Sequence, residues 1–230
     1  MVRDDAARHR RSGPMPPSIE QLRGMIERDE LITYVVPGGV VIYDLASDAL
    51  TVEHLVAATP EAASTLWGLV GSGSSAVPTV HAHLDPRDPL TLVLGGLPAE
   101  EVRQVPWMAR VIDLAAAFAG RGFAPPVRAD VDLVVDDPEA PRNTGRWRLS
   151  VAAGTGAAAL VEAAPATSSS VPADVSIDLA QVGARGLAAL WCGWSTSRLR
   201  QAGLLCGGSP DDDAALDAIF AASPYLTEYF

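Results

Sequence analysis

The sequence predicts an α+β protein in two parts, and three observations carry that reading. From Ser18 to Gln104 the pattern runs helix, strands, helix, strands, a mixed order typical of α+β or α/β folds. Near Pro106 the pattern restarts with a second series of helices and strands. The strand segments alternate apolar and polar residues, most cleanly where Val127, Ala129, Val131 and Leu133 share one face.

The elements follow in order. SIEQLRGMIERD reads as a short amphipathic helix, with Ser18 as N-cap and Gln21 completing a capping box. LITYVVPGGVVIYDL reads as two strands around a Pro37-Gly38-Gly39 turn, and ALTVEHLVA as a third. Thr59 would cap the next helix, Pro60 would take its first position, and Glu61 would complement its dipole. That helix stops at the turn GSGSS. AVPTVHAHL and LTLVLGG read as strands. In the second part WMARVIDL reads as a strand, and Asp113 caps a helix through LAAAFAGRG that ends at Gly122. VRADVDLVVDD and GRWRLSV are strands joined by PEAPRNT, and GTGAAALVEAA is a weaker strand. APATSSSVPAD is a polar loop, VSIDL a short strand and LAQVGARGLAALW a helix. STSRLRQAG is another helix, capped by Ser195 or Ser197, and Ser209-Pro210 opens the last, DDDAALDAIFAA. Its three aspartates sit where the helix dipole favours them, so they are helix-start residues rather than a metal site.

Composition narrows the functional classes. The 230 residues include 48% hydrophobic and 20% charged ones, with a net charge of -11, and every basic residue is arginine. This acidity argues against nucleic acid as partner and is compatible with a cationic substrate. No apolar run reaches the length of a membrane span, so no membrane partner is expected. Arg10-Arg11 is followed by no apolar segment, so residues 1–17 read as a disordered head rather than an export signal. Cys192 and Cys206 are too few for a disulfide framework and read as reduced, buried and structural, which suits the cytoplasm.

Few residues stand out for chemistry. His81, His83 and Asp85 alternate, a spacing that can hold a metal. Val80, Ala82 and Leu84 fill the other face, so the three are read as the polar stripe of a half-buried strand, and no metal is expected. Glu53 and His54 sit at a predicted strand end, where active sites of α/β proteins gather. There is no G-x-S-x-G elbow, Walker loop or dinucleotide fingerprint. Trp191, Trp194, Leu187, Leu190 and Phe220 could line an apolar ligand site, but they are spaced as ordinary core. The chain ends SPYLTEYF, an aromatic terminus most simply explained by packing of Tyr225 against the last helix.

The segments LVAATPEAASTLWGLVGS, DPRDPL, VPWMARVIDLAAAFAGRGF, NTGRWRLSV and LDAIFAASPYLTEYF, in this order and spacing, resemble the C-terminal half of Eis-type (enhanced intracellular survival) GNAT N-acetyltransferases. Such enzymes carry two GNAT-like regions followed by a sterol-carrier-protein-like domain. The resemblance implies a partial GNAT-like mixed sheet with helices over 18–104, then a sterol-carrier-protein-like α/β domain over 105–230. It implies that the first GNAT region, which binds the co-substrate acetyl-CoA, is missing here. The corresponding loop of this chain, VAATPEAAS, has no glycine, Pro60 lacks an N–H and Glu61 adds a negative charge, so acetyl-CoA is not expected to bind this chain alone.

The implied reaction is acetyl transfer from acetyl-CoA to amino groups of cationic substrates such as aminoglycosides or lysine amines. The resemblance gives the terminal carboxylate of Phe230 the role of proton acceptor, with Glu228 as a second anion binding the substrate. The family's general-acid tyrosine has no equivalent here, and neither Tyr34 nor Tyr43 takes its place. The implied partners are further copies in a homo-oligomer and a separate chain carrying the first GNAT region. The competing reading is a non-catalytic sterol-carrier-like binding or scaffold protein.

Overall fold

The computed structural model describes residues 13, 18–46, 48–73, 77–85, 103–163 and 178–226. The chain divides into two compact units, one of residues 1–103 with 224–230, the other of 104–223.

The first unit opens with α1 (Ile19–Ile26), whose start is a complete capping box: the Gln21 N–H donates to Ser18 Oγ at 3.1 Å, and the Ser18 N–H donates to Gln21 Oε1 at 2.7 Å. Then come β1 (Leu31–Val36), β2 (Gly39–Leu45), β3 (Ala49–Ala57), α2 (Pro60–Ser72) and β4 (Thr79–Ala82). The four strands form one sheet in chain order. β1–β2–β3 are antiparallel, and β4 pairs parallel with β3 after the α2 crossover. One sheet face packs Val41, Tyr43, Leu50 and Val52 against Leu66 and Val70 of α2. The other face holds Val40, Ile42 and Val56 with Met25 and Leu31.

The second unit contains α3 (Leu114–Gly120), β5 (Ala129–Asp136), a 3-10 turn (Pro141–Asn143), β6 (Gly145–Ala152), β7 (Thr155–Ala163), β8 (Ala180–Gly183), α4 (Ala184–Trp191), α5 (Thr196–Gln201), β9 (Leu205–Cys206) and α6 (Pro210–Phe220). The sheet order is β7-β6-β5-β8-β9, with β8 parallel to β5 and the other pairs antiparallel. Val131, Leu133 and Val135 of β5 and Trp147, Leu149 and Val151 of β6 pack with Leu114, Phe118, Leu187, Leu190, Leu216 and Phe220 into one core. Gly193, at φ +78, makes the turn after α4; a side chain there would meet the Ala222 carbonyl.

Three expectations are corrected. WMARVIDL forms no strand: Trp107 to Ile112 have no regular structure, and Trp107 and Met108 are exposed. Its apolar residues suited a strand, but among the described residues no strand pairs with it. The predicted helix LAQVGARGLAALW is a strand for its first part, because Ala180–Gly183 pairs with both β5 and β9, and the helix begins at Ala184. Cys206 is exposed on β9 rather than buried; Cys192 is half-buried, and both are free thiols. LTLVLGG, the loop APATSSSVPAD and the head 1–17 apart from Gly13 lie outside the described residues.

Candidate functional site

Asp113 caps α3, accepting from the Ala116 N–H at 2.9 Å. Just before it, the irregular segment is fixed by a polar cluster. Asp137, 1% exposed, accepts from Arg110 Nη2 at 2.6 Å. The fully buried Asn143 side chain accepts from the Leu114 N–H at 2.9 Å and donates to the Val111 carbonyl at 2.9 Å. The Asn143 carbonyl in turn accepts from Trp147 Nε1 at 2.7 Å. Buried polar atoms need such partners, so this cluster substitutes for the strand pairing that residues 107–112 lack. Asn143 and Trp147 belong to NTGRWRLSV, and Arg110 to VPWMARVID.

Beyond α3, Arg121 is enclosed. Its guanidinium lies 4.8 Å from the Trp191 ring centroid, 5.6 Å from that of Phe220 and 5.9 Å from that of Phe123. Nη1 donates to the Trp191 carbonyl at 2.9 Å, and Nη2 to the Phe220 carbonyl at 3.4 Å. These two residues end α4 and α6, so one cation sits at the negative ends of two helix dipoles. Burial lowers the Arg121 pKa, but a guanidinium stays charged. Burial raises the pKa of the neighbouring Cys192 thiol, against the opposing effect of Arg121, so this thiol is a poor nucleophile. On the outer face of the same sheet, Arg148 and Arg146 hold Asp132 and lower its pKa to about 2.

The apolar set predicted as a ligand lining does not come together as one. Leu187, Leu190 and Phe220 are core, Trp191 is half-buried beside Arg121, and Trp194 is 53% exposed, with Arg198 over its ring at 5.7 Å.

In the first unit the α2 start is self-capped. Thr59 Oγ1 accepts from the Ala62 N–H at 3.2 Å, Pro60 has no N–H, and Glu61 occupies the first turn. Such a terminus has little left to offer a phosphate. Glu53 and His54 are not at a strand end. Ile42 pairs with His54 and Tyr43 with Val52, so Glu53 is the extra residue of a bulge within β3. β4 ends at Ala82, which leaves His83 and Asp85 beyond the strand. Among the described residues no group of three His, Cys, Asp or Glu side chains could hold a metal. Tyr34 and Tyr43 stack with parallel rings, centroids 6.3 Å apart, and burial raises the Tyr43 pKa.

Glu228 and Phe230 lie outside the described residues. The segment leading to them is described as far as Leu226. From Pro224 onward the chain groups with the first unit, and Tyr225, 6% exposed, lies against Gly13. A side chain at Gly13, which has φ +111, would collide with the Tyr225 backbone. Tyr225 is buried, but the neighbour seen is Gly13 of the first unit rather than the last helix against which it was expected to pack. Sequence reasoning missed Arg110, Arg121, Asp137 and Asn143, because no periodicity marks a residue whose partners are distant in the chain.

Residues 14–111 match the family model of an acetyltransferase (GNAT) domain, and residues 114–227 that of a sterol carrier protein domain. No curated protein matches the chain. Among solved structures, the chain is similar to a GCN5-related N-acetyltransferase from Kribbella flavida, with 41% identity, a TM-score of 0.81, and coverage of 96% of this chain and 54% of that one. It is also similar to a GCN5-related N-acetyltransferase from Anabaena variabilis, with 20% identity, a TM-score of 0.74, and coverage of 100% of this chain and 61% of that one. The likeness to Eis1 from Mycobacterium abscessus has 22% identity, a TM-score of 0.65, and coverage of 100% of this chain and 60% of that one. The last two similarities show the fold. This chain thus spans little more than half the length of the structures it matches, and it joins a GNAT acetyltransferase domain to a sterol carrier protein domain.

Proposed function

We propose that this chain, a GNAT domain followed by a sterol carrier protein domain, is a fragment or subunit of an Eis-type N-acetyltransferase. The observation that carries the reading is 41% identity to a GCN5-related N-acetyltransferase over 96% of this chain, which accounts for 54% of that one. The reaction is acetyl transfer from acetyl-CoA to amino groups of cationic substrates, either aminoglycosides or lysine side chains. The free amine attacks the thioester carbonyl, the C–S bond breaks, and CoA leaves as its thiolate, which takes a proton from water. The Phe230 carboxylate accepts the proton lost by the amine, and Glu228 adds to the attraction for cations. The self-capped start of α2 supports assigning acetyl-CoA binding to another GNAT region, carried on a separate chain. The reading assigns the reaction to the cytoplasm, where the free thiols Cys192 and Cys206 would stay reduced.

The test measures CoA thiol release. The chain alone, given acetyl-CoA and a polyamine, is expected to release none. Adding a chain that carries the first GNAT region should restore release, and amidating or extending Phe230 should then abolish it. Turnover by the isolated chain would sink the assignment of acetyl-CoA binding elsewhere.

A second reading is a non-catalytic binding or scaffold protein, favoured by the match of residues 114–227 to a sterol carrier protein domain. It requires a co-purifying apolar ligand. Native mass spectrometry that finds only the bare chain counts against the binding version.

A further inference from the structure

We infer that the enclosed Arg121 binds the carboxylate of a small amphipathic acid, whose apolar body lies against Trp191. The inference rests on the binding reading of the second unit and names the head group of its ligand.

A cation withdrawn from water is normally matched by an anion. Elsewhere in this unit arginines are matched in this way: Arg110 grips Asp137, Arg146 and Arg148 grip Asp132, and Arg200 grips Asp213. Among the described residues no carboxylate pairs with Arg121, although it is enclosed by rings. The pKa directions repeat the contrast: carboxylates raise those of Arg148 and Arg200, whereas burial lowers that of Arg121. Cys192 does not supply the missing charge, since burial raises its pKa and keeps the thiol neutral. The rings of Trp191, Phe220 and Phe123, and the carbonyls closing α4 and α6, offer partial negative charge only.

The guanidinium also has donors to spare. One N–H of Nη1 and one of Nη2 are spent on carbonyls. Among the described residues nothing accepts from Nε or from the second N–H of either terminal nitrogen. A carboxylate can take two parallel N–H bonds from one edge of such a fork. A single cation calls for a single negative charge, so a monocarboxylate matches it where a phosphate dianion would over-compensate. The surroundings select the body of the ligand. Arg121 and Trp191 each keep part of their surface open to solvent, with the guanidinium 4.8 Å from the ring centroid. A carboxylate held on Arg121 therefore carries its attached group beside an indole surface, which an apolar group covers favourably.

The test uses the full chain at neutral pH with phenylbutyrate, phenylbutanol and phenylbutylamine, which share one apolar body and differ in head group. Calorimetry is expected to find phenylbutyrate bound at least about tenfold tighter than phenylbutanol, and phenylbutylamine not bound. In NMR spectra the Arg121 Nε–H resonance should shift with phenylbutyrate and stay in place with phenylbutanol. Arg121→Met should bring phenylbutyrate down to the level of phenylbutanol, with an unchanged circular dichroism spectrum. Arg121→Lys, which keeps the cation, should retain part of the preference. Equal binding of the acid and the alcohol overturns the inference and leaves an apolar-ligand reading standing. A preference for the acid that Arg121→Met retains also overturns it. So does no binding of either probe, and the binding reading then stands or falls on the co-purified ligand. None of these outcomes bears on acetyl transfer.

Discussion

Arg121 ties three helix ends together: it follows α3, and its guanidinium donates to the last carbonyls of α4 and α6. Replacing it with Met keeps much of the packing but leaves two carbonyls without a donor. The expected loss is about 2 kcal/mol, read from urea unfolding midpoints. Arg121→Lys keeps the charge yet offers one donor point in place of a planar fork, and should recover no more than half of that loss. Asn143 makes a similar case. Asn143→Ala strands the Leu114 N–H and the Val111 carbonyl, at a cost of about 2 kcal/mol in the same assay. Asp132 supplies a pH signature. Its pKa falls from 3.8 to about 2, chiefly through hydrogen bonding to Arg148. A depressed carboxylate contributes stability that is complete above its unfolded pKa and is lost as pH falls through its folded pKa. The contribution, about 1 kcal/mol after solvent screening, should therefore fade between about pH 4 and pH 2. Asp132→Asn should flatten the stability profile in that window.

At the scale of elements, the caps were legible because their residues are three apart. Ser18 with Gln21 and Ser209 with Asp212 both close capping boxes. Thr59 and Asp113 cap as their positions predict. α5 departs from this pattern. Its N-cap Ser195 makes no side-chain capping bond, and Asp217 of α6 accepts instead from the Thr196 N–H at 2.7 Å and from Thr196 Oγ1 at 3.1 Å. Asp217→Ala should therefore destabilise by about 1 kcal/mol, while Ser195→Ala should stay within about 0.5 kcal/mol, both read by thermal unfolding. β8 hid for a related reason. Its four residues carry too short a pattern to register, and pairing on both sides sets their conformation.

For the whole molecule, the grouping of Pro224, Tyr225 and Leu226 with the first unit matters most, because this segment leads toward the carboxylate proposed to act in catalysis. Gly13 and Tyr225 meet closely enough that any side chain at 13 collides with the Tyr225 backbone. Gly13→Ala should free this segment, giving faster chymotryptic cleavage after Tyr225 while the urea midpoint of the chain stays unchanged. Equal cleavage rates in the two proteins would mean that Gly13 does not hold the tail. The two family matches, over 14–111 and 114–227, follow the division of the structure into units over most of their length.

The sequence by itself determined the α+β class, the three strands and crossover helix of the first unit, the β5–β6 alternation and most helix starts. All of these rest on residues within a few positions of one another, where periodicity and capping act. The order of its motifs also pointed to the acetyltransferase and sterol-carrier pairing. Tertiary structure decided the irregular path of residues 107–112, the strand at Ala180–Gly183, the capping of α5 by Asp217 and the enclosure of Arg121. In each case the partner that satisfies a backbone group or a charge is remote in sequence, and a buried polar group takes its conformation from the partner that satisfies it.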